Sequence, residues 1–193
     1  MNILLDSLPD SVMIGGREYK INTDFRVWIK YESLLTDSSR EVKLKDILRL
    51  VFPDPPPKRF REEAVNQIIW FYSCGKKAPS KGGSDSSGLF SYDYDADFVY
   101  SAFMEQYRVD LTSAKMHWWQ FHALMVSLSE DTELVKIMGY RAVKITSKMS
   151  AEQKRFYSQM KKRYAIPKNK EEQKRLTAIE DALLNGEAID NLL

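Results

Sequence analysis

The sequence predicts a mainly α-helical protein, a multi-helix bundle with one short β-hairpin near its N-terminus. Three observations carry this expectation. Eight glycines and seven prolines in 193 residues are too few for a turn-dense all-β chain. Apolar residues recur at helical spacing in most segments, whereas convincing period-two alternation occurs in one segment alone. Aromatic residues make up 12% of the chain, which supplies the large side chains that a core of one-domain size requires.

The alternating segment is 11–21, SVMIGGREYKI. Val12 and Ile14 alternate with polar neighbours, as do Tyr19 and Ile21, and Gly15-Gly16 supplies the positive φ that a two-residue hairpin turn needs. Helices follow. Asn22 or Thr23 is placed to cap a helix reaching about Leu35, with Phe25, Trp28, Tyr31 and Leu35 on one side. Residues 43–52 set Leu44, Ile47, Leu48, Val51 and Phe52 on one face, and Pro53, Pro55, Pro56 and Pro57 then force an extended connection. A third helix begins near Lys58, carries Phe60, Ala64, Ile68 and Phe71, and ends at Gly75.

Residues 76–91, KKAPSKGGSDSSGLFS, are small and polar and read as a flexible linker. Beyond it, Asp95 or Asp97 is expected to begin a helix to about Arg108, striped by Val99, Ala102, Phe103 and Tyr107. Thr112 is expected to cap the next helix. That helix is apolar nearly all round (Trp118, Trp119, Phe121, Leu124, Met125, Val126, Leu128), the pattern of a helix at the centre of a bundle. Ser129 is expected to open a short helix closed by Gly139 in the C′ position. Ser150 to Gln153 has the capping-box pattern and starts a helix with Phe156, Tyr157, Met160 and Tyr164 that Pro167 stops. Asn169 caps a last helix striped by Leu176, Ile179 and Leu183. The chain thus divides into 1–75, the linker 76–91, a helical block 92–167, and a terminal helix and tail 168–193.

Candidate chemistry is sparse. Cys74 is the only cysteine, so no internal disulfide forms, and it reads as a buried, inert thiol. His117 and His122 are five apart, which turns their rings about 140° from each other on a helix. They read as core or interface residues rather than metal ligands. Asp93, Asp95 and Asp97 lack the glycine and glutamate of a calcium loop and read as acids at a helix start. No catalytic, metal or cofactor site is expected, and an enzyme is the least expected class. The first residues break at Asp6 and Pro9, too soon for a signal peptide. No 18-residue apolar stretch is present to span a membrane.

Charge is uneven although the net is only +2. Residues 141–175 hold twelve Lys or Arg against three acids, and residues 176–193 hold four acids and no base. Lys154, Arg155, Lys161, Lys162 and Arg163 form a candidate patch for an acidic partner. Nucleic acid is the less favoured ligand, because a solvated helix face is the commoner meaning of such a block. The apolar positions Leu176, Ile179, Leu183, Leu184, Ile189 and Leu192 either dock on the chain's own body or offer a face to another chain.

Four blocks, YDYDADFVYSAFMEQYRVDL (92–111), MHWWQFHALMVSLSEDTEL (116–134), IMGYR (137–141) and KRFYSQMKKRYAIP (154–167), occur in an order and spacing that is more specific than any single motif. With them the chain resembles the bacteriophage gene-product-fifteen family of siphophages and of prophages in Gram-positive bacteria. The resemblance implies a gene in the tail module and a protein similar to tail assembly chaperones. Such a protein is non-enzymatic, coats the tape measure protein, helps recruit the major tail protein, works in the host cytoplasm and is absent from the mature virion. Self-association is a further expectation. The alternative is a structural tail or connector component of the virion. No catalytic residue carries over from the family, and the HWW block reads as fold-forming.

Overall fold

The structure, a computed structural model, describes residues 3–36, 42–76 and 88–167. Among these it contains one antiparallel hairpin, β1 (Ser11–Ile14) and β2 (Arg17–Lys20), and seven α-helices. The helices are α1 (Phe25–Thr36), α2 (Leu44–Val51), α3 (Arg61–Tyr72), α4 (Tyr92–Tyr107), α5 (Trp118–Val126), α6 (Glu133–Ala142) and α7 (Ala151–Arg163). A single 3-10 turn, Lys58–Phe60, leads into α3. The mainly helical fold with one hairpin is therefore the one the sequence predicts. No helix of the described residues is long and apolar enough to cross a membrane.

The hairpin turns where two glycines allow it. Ile14 pairs with Arg17, and the intervening Gly15 and Gly16 have φ of +58° and +74°, a left-handed pair that matches the strand twist. Val12, Ile14 and Tyr19 are buried, whereas Met13 between them is exposed. The turn rests on α3: the Gly15 amide donates to the Glu63 carboxylate at 2.9 Å, and the Phe60 ring lies where a side chain at Gly15 would go.

One core runs through both halves of the chain. It links the hairpin to Phe25, Trp28 and Tyr31 of α1, Leu48 and Val51 of α2, and Ala64, Ile68 and Phe71 of α3. It continues through Val99, Ala102 and Phe103 of α4 and Trp118, Trp119 and Phe121 of α5 to Leu134 of α6. Its centre is a set of rings. Trp28 stacks on Phe71 at 4.8 Å and lies 6.4 Å from Trp118, and Phe121 stacks between Phe25 (4.6 Å) and Phe103 (5.1 Å). Trp119 meets Phe71 at 5.7 Å and Trp70 edge-on at 5.5 Å. The buried indoles stay satisfied because Trp118 and Trp119 donate to the carbonyls of Tyr72 and Phe71 at the end of α3.

Several helix boundaries differ from the sequence reading, each for a local reason. Asp24, rather than Asn22 or Thr23, caps α1 by accepting from the Arg26 amide. Asn22 instead donates its side-chain amide to the Leu50 carbonyl near the end of α2. Helix α4 starts at Tyr92 because the Asp95 carboxylate, one turn in, accepts from the Ser91 amide. Thr112 caps nothing. Its amide and hydroxyl are both bound by Asp110, and α5 begins only after His117. Helix α6 starts after Thr132 rather than Ser129 and runs past Gly139, whose carbonyl accepts from Val143. The Ser150 capping box forms as expected, yet α7 buries no residue, and Phe156 is 45% exposed. The terminal helix expected from Asn169, and most of the linker, lie outside the described residues.

The two turn glycines separate two costs. Gly15→Ala and Gly16→Ala each force an alanine into a left-handed conformation, at about 1–2 kcal/mol. Only the Gly15 change also meets the Phe60 ring, since the space around Gly16 is open. Urea unfolding of the two variants should show Gly15→Ala as clearly the less stable.

Candidate functional site

An apolar cleft of about 570 Å³ opens where α5 and α6 diverge. Its floor is Trp118 and Tyr72. One wall is Met125 and Val126 of α5 with Leu128 after it, another is Leu134, Val135, Met138, Gly139 and Ala142 of α6, and Leu89, Phe90 and Tyr92 complete the rim. Glu32 and His122 are the ionisable groups beside the tyrosines. Val126 is 67% exposed, so the cleft is open to solvent. Gly139 adds to the space: it lies inside α6, and nothing stands within 4 Å of where its Cβ would be.

The apolar character all round α5 thus has two causes. Its first turn (Trp118, Trp119, Phe121) enters the core, as expected, while its second half lines the cleft. The HWW block also sets how α5 meets α1. His117 caps α5, its Nδ1 accepting from the Trp119 amide at 3.0 Å while its Nε2 donates to the Pro9 carbonyl at 2.9 Å. The flanking backbone forms a short antiparallel bridge, with Phe25 N donating to Met116 O and Trp118 N to Thr23 O. Only the neutral ring can make both His117 bonds, and burial pushes its pKa below 6.5. Burial likewise lowers that of His122, helped by nearby Lys76. The two histidines have separate partners, since His122 instead packs edge-on against Trp118.

At the cleft floor the Tyr72 hydroxyl donates to the Glu32 carboxylate. Burial raises the Glu32 pKa; the Tyr72 bond opposes this and the Asp93 charge adds to it. Burial, then the Glu32 contact, holds the Tyr72 phenol un-ionised. Cys74 is half-buried, and burial pushes its thiol up to about 11, which leaves it protonated and unreactive at neutral pH.

The three aspartates at the start of α4 go separate ways. Asp93 accepts from the Ser33 hydroxyl, and Asp97 is exposed. Asp95 is 1% exposed and receives a two-pronged ion pair from Arg141 (Nη1–Oδ2 2.7 Å, Nη2–Oδ1 2.8 Å). Arg141 also donates to the Leu89 carbonyl at the cleft rim and, through Nε, to the Tyr164 carbonyl just past α7. Sequence reasoning missed this pair. Its signal was an aspartate at the fourth helical position, on the Val99–Ala102 side of α4, with an arginine in the IMGYR block.

The basic quintet is divided by the fold. Lys154 and Lys161, one heptad apart, turn inward and donate to the carbonyls of Ser147 and Arg141. Arg155, Lys162 and Arg163 are exposed and form no ion pair among the described residues. The apolar candidates Leu176, Ile179, Leu183, Leu184, Ile189 and Leu192 all lie outside the described residues.

A family model described as "Bacteriophage Gp15 protein" matches residues 4–166. The chain belongs to this bacteriophage family, as its sequence blocks indicate. No curated protein and no solved structure matches it.

Two measurements check this geometry. Arg141→Met leaves the Asp95 carboxylate buried without a partner and should cost about 3–5 kcal/mol in chemical denaturation. Arg141→Lys should recover little of that, since an ammonium cannot supply the planar fork. His117 has a depressed folded pKa, so below pH 6.5 the unfolded chain takes up a proton that the native ring refuses. Its contribution is complete above that pH and is lost on acidification. Glu32, with a raised pKa, acts in the opposite sense. The diagnostic is therefore the comparison with His117→Asn, which can still cap α5. Between about pH 7.5 and 5.5 wild type should lose more stability than this variant.

Proposed function

We propose that this phage protein is a tail assembly chaperone that binds without catalysis. Its client is the tape measure protein, whose long amphipathic helices aggregate when bare. The major tail protein is its second partner, brought to the coated client. It acts in the host cytoplasm, associates with further copies of itself along the client, and leaves before the virion is complete. Membership of the Gp15 family supports a role in phage structure or assembly.

The observation that carries the finer reading is the open apolar cleft. A site lined by methionine, valine and leucine, with Met125 and Met138 on facing walls, suits varied helical segments because thioether side chains re-pack easily. Weak binding at each copy is enough, since many copies on one client gain by avidity. The ionisable groups of the cleft are tied up structurally, Glu32 by Tyr72 and His122 against Trp118, which suits a binding surface better than a reaction centre.

Co-expression with the tape measure protein of the same phage tests this. The client should become soluble and co-purify. Val126→Asp, at an exposed cleft position, should reduce co-purification by about tenfold, as expected when one buried valine contact is lost. Unchanged client solubility without co-purification would count heavily against the chaperone reading, and recovery of the protein in purified virions would favour a structural component instead.

A further inference from the structure

We propose that the client segment seated in the cleft carries a lysine or arginine among its apolar anchors, and that Glu32 at the cleft floor receives this cation. The inference rests on the reading of the cleft as a binding site. It adds the chemistry of what enters: an amphipathic helix whose apolar face is interrupted by one basic side chain.

Three observations carry it. The first is position. Glu32 of α1 lines the cleft beside Tyr72, while the walls are aliphatic, with Met125 and Leu128 on one side and Val135 and Met138 on the other. A ligand filling the cleft thus meets apolar side chains along its length and a carboxylate at the floor. Lysine and arginine have that make-up, an apolar stem ending in a charged head.

The second is the state of the carboxylate. Glu32 accepts from the Tyr72 hydroxyl, a neutral donor that leaves the negative charge uncompensated. A carboxylate accepts about four hydrogen bonds, so this one bond does not fill it. The ion pairs among the described residues are Lys20–Asp10, Arg26–Asp24 and Arg141–Asp95. The fold therefore gives the buried Asp95 a cation of its own and gives Glu32 none within those residues.

The third is the field at the floor. Burial disfavours the ionised form of Glu32, and the negative charge of Asp93 disfavours it further. An arriving cation relieves both effects, whereas a neutral group relieves neither and an anion aggravates them. His122, the other ionisable group beside the tyrosines, is no rival for an anion. Burial and the charge of Lys76 lower its pKa, so it is neutral at and above pH 7, and Lys76 itself is exposed.

The test titrates the full chain with three probes of one length, n-hexylammonium, n-hexanol and hexanoate, at about pH 8, where His122 is uncharged. Binding is read from the methyl signals of Met125 and Met138 in NMR spectra, with Met13, exposed on the hairpin, as the control that stays in place. Hexylammonium should bind about tenfold tighter than hexanol, as one charge-assisted hydrogen bond provides, and hexanoate should bind weakest. In Glu32→Gln, whose carboxamide oxygen can still accept from Tyr72, the two uncharged and cationic probes should bind within about twofold of each other. The comparison of probes on the unaltered chain needs no variant and stands alone if Glu32→Gln does not fold.

Hexylammonium binding no tighter than hexanol would overturn the proposal. So would a preference that survives in Glu32→Gln, or hexylammonium that leaves the cleft methyls unmoved. Hexanol bound without any preference for the cation removes the basic anchor alone and leaves an apolar cleft that still serves a chaperone. No tape measure protein enters the titration, so the chaperone reading stands or falls on its own co-expression test.

Discussion

A guanidinium withdrawn from water is tolerable only when its donors are met, and Arg141 meets that condition by joining parts of the chain that otherwise have little reason to stay together. Four of its five N–H donors are engaged: two by the Asp95 carboxylate of α4, one by the Leu89 carbonyl and one by the Tyr164 carbonyl after α7. The α6–α7 contact has little else to hold it, because α7 buries nothing. Its other attachments include the Tyr140 ring contacts, the two inward lysines and the Tyr164 hydroxyl, which donates to the Glu133 carboxylate of α6. The gross electrostatic attraction of such a pair is largely offset by desolvation. What the arrangement supplies is geometry, since a planar fork fixes both the rotation of α6 and the position of the Leu89 rim.

The other end of the cleft is set by a different device. The α1–α5 junction is made of backbone, through the bridge between Asp24 and His117, and is locked by an imidazole that must be neutral to make both of its bonds. The indole N–H groups of Trp118 and Trp119 bind the last carbonyls of α3, where the helix end leaves carbonyls without intrahelical partners. Three helices are thereby fixed around one stack of rings, and the diverging halves of α5 and α6 leave the cleft between them. Helix α5 is pinned at both ends, at its start by His117 and at its last turn by α4, whose Tyr107 hydroxyl donates to the Leu124 carbonyl and whose Gln106 amide donates to the Ser127 carbonyl.

How far the sequence reveals this depends on whether the controlling interaction is local. The hairpin at Gly15-Gly16, the Ser150 capping box and the core stripes of α1, α2 and α3 are set by residues a few positions apart, and their spacing displays them. The start of α4 does not show itself, because Asp95 reads as one acid among three until Arg141, far along the chain, selects it. Thr112 misleads because Asp110 captures it first, and Gly139 because a helical glycine looks like a terminus unless the residues after it are seen to continue the turn. The cleft was half legible. The apolar excess of α5 is plain in the sequence, but periodicity cannot say whether such a face is covered by the fold or left open.

The ring stack at the centre of the core also makes the protein its own optical instrument. All four tryptophans are connected through Trp28, Phe71 and Trp119, and Trp118 is at once part of that set and the floor of the cleft. Whatever fills or vacates the cleft alters the polarity around an indole, and therefore its emission. Tryptophan emission of the unlabelled chain accordingly reports on the junction of α1, α3 and α5 and is nearly blind to α7, which contains no tryptophan.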